Sequence, residues 1–442
     1  MEQSPLFSSM RVEGWRQFRK IEIDFHDRLT VLTGSNGAGK STILNILKCH
    51  FPYEVDEKFI ATPVKNEGKT SFSFGQWLYS SMDGFFSRKP LPRENHIGEI
   101  KYTNEQSSLL SLPPTNSMQY VLQRSNGISI AGININSHRS LPRYEEVKYL
   151  SVSGIRPSEA YNDFLQIERS NQENTNYFKD GSLRRVNPVS ALKEALISFA
   201  TFGVGNKHVS PVPDLAGLYD KFQEILGTVL PVEVGFQRLE IRTPEVVIVS
   251  SSGEFPIDGA SGGLMSIIQL SWKIFLQSQI YQDKRYMVLI DEPENHLHPS
   301  MQRSFLSNIV EAFPLARFVV ATHSPFIISS VQDSSVYALM HHTSDGSFLR
   351  PLEPRSVISH KLDYVKKAGP ANEILREVLG VPVTIPEWSA TELERISEKF
   401  SKSKIDSETL KQLRTELREA GLEDFYPNAV ERALNDKDTE AR

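Results

Sequence analysis

The chain has 442 residues, room for two or three folding units at about 150 residues each. Its 49 Lys plus Arg against 54 Asp plus Glu give a net charge of −5, which excludes a histone-like polycation but not a local basic groove. With 39% hydrophobic and 23% charged residues it reads as globular rather than disordered, and no window reaches the roughly 18 apolar residues of a membrane helix.

The start, Met1-Glu2-Gln3-Ser4-Pro5, has neither the basic nor the apolar region of a signal peptide, so a soluble cytoplasmic protein is expected. Residues 21–25 alternate apolar and polar after Arg11-Val12-Glu13, which predicts a strand of period two, and 29–33 form an apolar run suited to a buried strand. A glycine-rich turn follows, then 41–51 with Ile43, Leu44, Ile46 and Leu47 at helical spacing. Strand, glycine loop and helix open a phosphate-binding α/β unit. The lone cysteine, Cys49, leaves no internal disulfide and no Cys-based zinc cage.

From about 52 to 231 the signals weaken. Residues 119–123 and 128–130, around Ser125-Asn126-Gly127, predict a hairpin; 147–152 predict a strand, 170–176 a solvated loop, and 190–202 and 215–230 helices. Beyond 237, residues 239–241 and 246–249 read as paired strands, 262–280 and 299–313 as helices, and 286–290 and 317–321 as buried strands. The charged tail from Trp388 sets Leu393, Ile396 and Phe400, then Leu410, Leu413 and Leu417, along apolar helix faces. No repeat or sustained heptad pattern supports a coiled-coil arm.

Gly34-Ser35-Asn36-Gly37-Ala38-Gly39-Lys40-Ser41, followed by Thr42, fits G-x-x-x-x-G-K-[ST] at every fixed position. Glycines allow backbone N–H groups to turn inward around a phosphate, and the helix start adds its partial positive charge. Lys40 is expected to reach the β- and γ-phosphates of ATP, and the Ser41 hydroxyl to ligate Mg²⁺. Residues 287–290 are an apolar strand that runs into Asp291 and Glu292, with Asp291 expected at Mg²⁺ and Glu292 at the attacking water. Ser261-Gly262-Gly263 open a helix that can offer N–H donors to a second phosphate chain. His323, in Ala321-Thr322-His323-Ser324-Pro325 after a buried strand, falls where a γ-phosphate sensor belongs.

In this order the motifs resemble an ABC-type ATPase of the SMC-like branch, and Gly14-Trp15-Arg16-Gln17-Phe18 is similar to the branch's opening element. The run from Asp291 to Pro299, Asp-Glu-Pro-Glu-Asn-His-Leu-His-Pro, resembles compact ATPases of the OLD and phage-defence families, most closely PARIS-type subunits and next Septu-type ATPases. The motifs anchor residues 8–50 and 235–330. The resemblance implies an α/β ABC-type core with an antiparallel N-terminal sheet, split between 1–60 and 232–385, an inserted mixed lobe at 61–231 and a helical region at 386–442. It also implies a homodimer or higher oligomer that sandwiches two ATPs, with Lys40, Ser41, Asp291, Glu292 and His323 of one copy facing Ser261 and Gly262 of another.

Ala260 and Leu264 replace the Leu and Gln that flank the transporter signature, and His298 stands at the D-loop Asp position, so hydrolysis is expected to be slow or conditional. Gln76, Gln119 and Gln123 are open candidates for the Q-loop. His296 and His298 read as loop residues rather than a metal pair, Asp436-Lys437-Asp438 lacks the strand of a nuclease site, and Arg139, Arg143, Lys148 and Arg184-Arg185 read as solvated rather than as a nucleic-acid groove. With no nuclease motif after residue 330, the expected output is regulation of a separate toxic effector, a nuclease or toxin, on sensing a phage trigger. A DNA repair or recombination ATPase of the same branch is the alternative, and no membrane partner is expected.

Overall fold

The computed structural model describes residues 4–66, 69–73, 96–114, 117–137, 144–148, 150–151, 153–172, 187–342, 356–363, 374, 387–401, 407–427 and 429–430. The chain begins with β1 (Phe7–Trp15), β2 (Phe18–Asp24), β3 (Leu29–Gly34) and α1 (Lys40–Lys48). Next come β4 (Phe59–Ile60), β5 (Thr62–Asn66), β6 (Lys69–Ser73), β7 (His96–Tyr102), β8 (Ser107–Ser111), β9 (Gln119–Tyr120), β10 (Gln123–Ser125) and β11 (Gly132–Ile135). Helices α2 (Pro157–Gln172), α3 (Pro188–Val204) and α4 (Leu218–Val229) precede β12 (Phe236–Arg242), β13 (Glu245–Ser250), β14 (Gly253–Pro256) and α5 (Gly262–Tyr281). The series closes with β15 (Tyr286–Asp291), α6 (Pro299–Ala312), β16 (Ala316–Ala321), α7 (Pro325–Ile328), β17 (Ser335–His342), β18 (Ser356–Lys361), α8 (Glu387–Ser401) and α9 (Ser407–Glu419).

Among the described residues an 11-stranded sheet runs in the order β10-β8-β7-β1-β2-β18-β17-β3-β16-β15-β11. From β17 to β11 each neighbour pairs parallel, whereas β10, β8, β7, β1 and β2 pair antiparallel. Every residue of β3 and β16 is buried, as a strand with both faces covered requires. β1 and β2 instead bury Met10, Val12, Ile21 and Ile23 between exposed Arg11, Lys20 and Glu22. Helix α1 packs under β3, β15 and β16 and sinks Ile43, Leu44, Ile46 and Leu47 into the same core as Val12, Met287 and Val319. On the helical side, α2 and α3 pack together and α4 lies on α5, where Phe199, Phe222, Trp272 and Phe275 form an aromatic cluster. The chain up to Ile374 is therefore an α/β unit whose largest sheet is mixed, with β12-β13-β14 forming a separate three-stranded sheet and β4-β9 and β5-β6 two-stranded ones.

Several expectations change. Residues 119–123 and 128–130 do not form a hairpin: β9 pairs with β4, β10 pairs with β8, and residues 128–130 are irregular, with Ile130 N–H bound to the His50 carbonyl. β8 takes up residues 123–125 as its own antiparallel partner, although Asn126 does take the positive φ (61°) expected of a turn. The described residues of 147–152 are not a strand; just before them Glu145 gives its carbonyl to Lys193 and its carboxylate to Asn187 N–H, so side chains replace a ladder. Residues 170–172, expected in a loop, complete the last turn of α2. The helix expected at 215–230 starts at Leu218, because Gly217 (φ 72°) breaks it from a short 3₁₀ turn. Strands β7, β8, β10 and β11 lie within 61–231, yet all join the main sheet.

Residues 375–442 form a second compact unit. There Leu393, Ile396 and Phe400 of α8 pack with Leu413 and Leu417 of α9 and with Leu422 and Ala429, while Leu410 is only half-buried. Among the described residues no helix is long and apolar enough to cross a membrane.

Candidate nucleotide-binding site

The loop between β3 and α1 depends on glycine where the chain turns hardest. Gly34 has φ 141°, and a Cβ there would lie 2.4 Å from the Leu339 carbonyl oxygen of β17. Gly39 has φ 99°, and a Cβ there would lie 2.4 Å from the Phe18 ring. Only glycine meets both demands. Gln17, at the tip of the β1–β2 turn, donates its amide to the Gly37 carbonyl at 3.4 Å.

Lys40 is buried and folds back over the loop, its ammonium donating to the Gly34 carbonyl at 2.9 Å and the Ser35 carbonyl at 3.2 Å. Burial pushes this ammonium below its ordinary range, and the charges of Glu292, Asp291 and Glu294 work against that. Asp291, at the end of β15, is raised chiefly by burial, opposed by a hydrogen bond with Ser41 and reinforced by the Glu292 charge. Its Oδ1 is buried without a hydrogen-bond partner. An unpartnered carboxylate oxygen beside a serine hydroxyl is a hard-oxygen donor set that fits Mg²⁺.

Glu292 follows in the left-handed region (φ 47°), its N–H bound to the Ala321 carbonyl at 2.8 Å. Its Oε2 accepts from Asn295 Nδ2 at 3.1 Å, and its Oε1 lies 3.5 Å from His323 Nδ1. Glu294 accepts the Thr322 hydroxyl at 2.7 Å and the His323 N–H at 2.9 Å on the same oxygen, which lies 3.4 Å from His323 Nδ1. The His323 ring is thus tethered between two acids while half of it faces outward.

Lys40, Ser41, Asp291, Glu292 and His323 therefore meet at the ends of β3, β15 and β16. Ser261 does not join them: its hydroxyl caps α5 by accepting from Leu264 N–H at 3.4 Å. Among the described residues no hydrogen bond links Ser261, Gly262 or Gly263 to the glycine loop. His298 is a helix cap as well, its Nδ1 accepting from Ser300 N–H at 3.3 Å, and no group of three or more metal-ligating side chains occurs among the described residues. Gln123 sits on β10, at the far end of the sheet order from β15; Gln119 sits on β9, which pairs with β4 in a separate two-stranded sheet; and Gln76 lies outside the described residues. The strand beside β15 is β11, and it runs on to Asn136 and Ser137, whose carbonyl accepts from Asn295 Nδ2 at 3.2 Å. Asp436-Lys437-Asp438, Arg139, Arg143 and Arg184-Arg185 also lie outside the described residues; Lys148 is exposed.

Sequence reasoning gave no role to Gln17, Glu294, Asn295 or Thr322. The third acid of Asp291-Glu292-Pro293-Glu294 was the available signal, but its partners, Thr322 and His323, follow in sequence only after α6 and β16.

A glycine loop closed over a lysine, facing a strand that ends in two carboxylates, defines a P-loop ATPase. The chain belongs to the family described as "AAA domain, putative AbiEii toxin, Type IV TA system", whose model matches residues 78–329; a second model, "AAA ATPase domain", matches residues 7–80. Septu protein PtuA of Bacillus thuringiensis is 20% identical over 416 residues, 91% of this chain and 90% of that protein. The Retron Vc95 probable ATPase of Vibrio cholerae serotype O1 biovar El Tor is 21% identical over 371 residues, 73% of this chain and 71% of that protein. Among solved structures, the SMC head domain from Thermotoga maritima aligns with a TM-score of 0.42 at 12% identity, over 81% of this chain and 99% of that one. The Septu type, one of the two defence families that the motifs resemble, is thus matched over nearly the whole chain.

Proposed function

We propose that the chain is the regulatory ATPase of a phage-defence complex, a nucleotide switch that holds a separate toxic effector and releases it on a phage-derived trigger. The observation that carries this reading is the division of the site. Lys40, Ser41, Asp291, Glu292 and His323 converge at the ends of neighbouring parallel strands, while Ser261 is engaged only with its own helix among the described residues. A second copy supplying Ser261, Gly262 and Gly263 to the γ-phosphate completes it and makes closure depend on ATP.

In this reading residues 34–42 wrap the phosphates, and Ser41 and Asp291 hold Mg²⁺, which lends its charge to the phosphate oxygens. Glu292, oriented by Asn295, takes the proton of the attacking water, and His323 senses the γ-phosphate from its tether on Glu294. Turnover is slow or conditional, since a switch needs two states that bind nucleotide differently and persist.

The test is effector retention in cells. The Glu292→Gln chain, able to bind but not cleave ATP, and the Lys40→Ala chain, impaired in binding, should retain different amounts of co-purified effector, with the difference changing on phage infection. Equal retention in every condition rejects the switch, and hydrolysis stimulated by DNA alone favours the repair or recombination reading.

A further inference from the structure

Lys193, on α3, has no exposed side-chain surface, and its ammonium is held by the Asp258 carboxylate, by Glu245 Oε2 at 2.9 Å and by the Glu145 carbonyl at 2.6 Å. The second oxygen of Asp258 is buried without a hydrogen-bond partner. Glu245 also accepts from the Tyr144 hydroxyl at 3.1 Å, and Asn187, the cap of α3, binds Glu145 through its N–H at 3.1 Å. The network thus fastens α3, the start of β13 and residues 144–145 to one aspartate. Burial alone would depress this ammonium, but hydrogen bonds and charges from Asp258 and Glu245 outweigh it and leave it raised.

Asp258 stands just ahead of Ser261. It is the middle residue of the 3₁₀ turn Ile257–Gly259, closed by Ala260 N–H on the Ile257 carbonyl at 3.1 Å and anchored by the fully buried Ile257, so only Gly259 and Ala260 separate it from Ser261. So short a turn leaves no slack, and the place of Asp258 fixes where α5 begins. From the other side the α5 start abuts the catalytic turn. A Cβ on Gly263 would lie 2.8 Å from the His296 carbonyl oxygen, and the Ser266 hydroxyl donates to the Asn295 carbonyl at 3.3 Å. Buried charge networks are often no more stabilising than apolar packing of the same shape. What they add is direction, and here the direction is along the chain to Ser261.

We infer that Lys193 is a positioning residue of the composite site, holding the Ser261-Gly262-Gly263 helix start at the place where another copy's γ-phosphate meets it. The inference rests on the ATP sandwich proposed above. Its effect therefore belongs to the site completed in the partner copy, not to the chain's own glycine loop.

Lys193→Met keeps the length and apolar stem and removes the charge. Its homodimer should bind ATP as the parent does, with kcat lowered on the order of 10²-fold by misplacement and KM little changed. Mixing Lys193→Met with Lys40→Ala chains should restore one working site per mixed dimer, since the first supplies a sound Lys40 and the second a sound Ser261. A chain carrying both substitutions, mixed with the parent, should restore nothing. Because Lys193→Met leaves two buried carboxylates without their cation, the triple variant Lys193→Met, Glu245→Gln, Asp258→Asn is run in parallel and should give the same mixing pattern. Parental kcat in the Lys193→Met homodimer, or no recovery on mixing either variant, overturns the inference. The control is Ser261→Arg mixed with Lys40→Ala: if that pair also fails to recover, the sandwich reading itself falls.

Discussion

The two halves of the main sheet bury their residues by opposite rules. From β17 to β11 the strands run parallel, β3 and β16 expose nothing, and their ends gather Gly34, Asp291, Glu292 and Thr322 at one edge. From β2 to β10 the strands run antiparallel, and β1 and β2 turn alternate residues to solvent. Parallel strands deliver all their carboxyl ends to the same side, which is where open α/β sheets bind ligands; antiparallel strands deliver ends to both sides and concentrate nothing. Among the described residues the antiparallel half reaches the glycine loop through the β1–β2 turn, where Gln17 and Phe18 meet Gly37 and Gly39. The parallel half gathers the candidate site residues, and the antiparallel half meets them at that turn.

The largest expected effect tests that assignment at its centre. Glu292→Gln should lower ATP turnover about 10²–10⁴-fold with nucleotide binding retained. Single-turnover hydrolysis beside equilibrium binding checks it, and parental turnover would remove Glu292 from the role of proton acceptor.

Acid should divide the halves next. His50, packed against Phe7 and Tyr102 on the antiparallel side, is pushed down to about 4 chiefly by burial, so it is neutral in the fold. The unfolded chain binds its proton first, and His50 costs stability as pH falls from about 6.5 toward 4, by about 3 kcal/mol in full at 1.36 kcal/mol per pH unit. Asp291 works the other way: its raised carboxyl takes up a proton more readily folded than unfolded, so without Mg²⁺ it favours the fold as pH falls toward the ordinary carboxylate range. Melting temperature against pH, for the parent and His50→Leu, should show the acid loss reduced in the variant. An unchanged profile would move the acid-sensitive group elsewhere.

The smallest effect separates two glycines. A Cβ on Gly98 of β7 would lie 2.1 Å from the Arg11 carbonyl oxygen, a clash like that at Gly34. Each change to Ala should cost about 1–3 kcal/mol of stability. Only Gly34→Ala should also weaken ATP binding, and comparable loss of affinity in Gly98→Ala would erase the distinction between the halves.

Legibility in the sequence was uneven in both halves. On the parallel side β3, β15 and β16 stand out because their runs are mostly apolar and because phosphate and Mg²⁺ binding fix residue types at set spacings, whereas β11 and β17 carry no such signal; on the other side the alternation of β2 is legible. In the antiparallel half, β7 and β8 mix apolar residues with Gly98, Glu99 and a run of serines, a pattern open to several local structures until β1 offers a partner. The polar end of α2 read as loop because Ser170 and Asn171 favour turns when no packing opposes them. Tertiary contact to α3 and α5 settled it. Glu294 could be seen but not understood, since its meaning lies in Thr322 and His323 across a helix and a strand.

The backbone under Glu292 carries a consequence for how such a chain can evolve. Its φ of 47° and that of His296 at 70° put two side-chain-bearing residues of one short turn in a conformation that suits glycine or asparagine better, each at a cost on the order of 1–3 kcal/mol. A glycine at 292 would relieve the bend and discard the carboxylate in one step. On the function proposed above, the substitution that makes this turn sturdier is therefore the one that removes the proton acceptor, so stability and turnover pull on residue 292 in opposite directions.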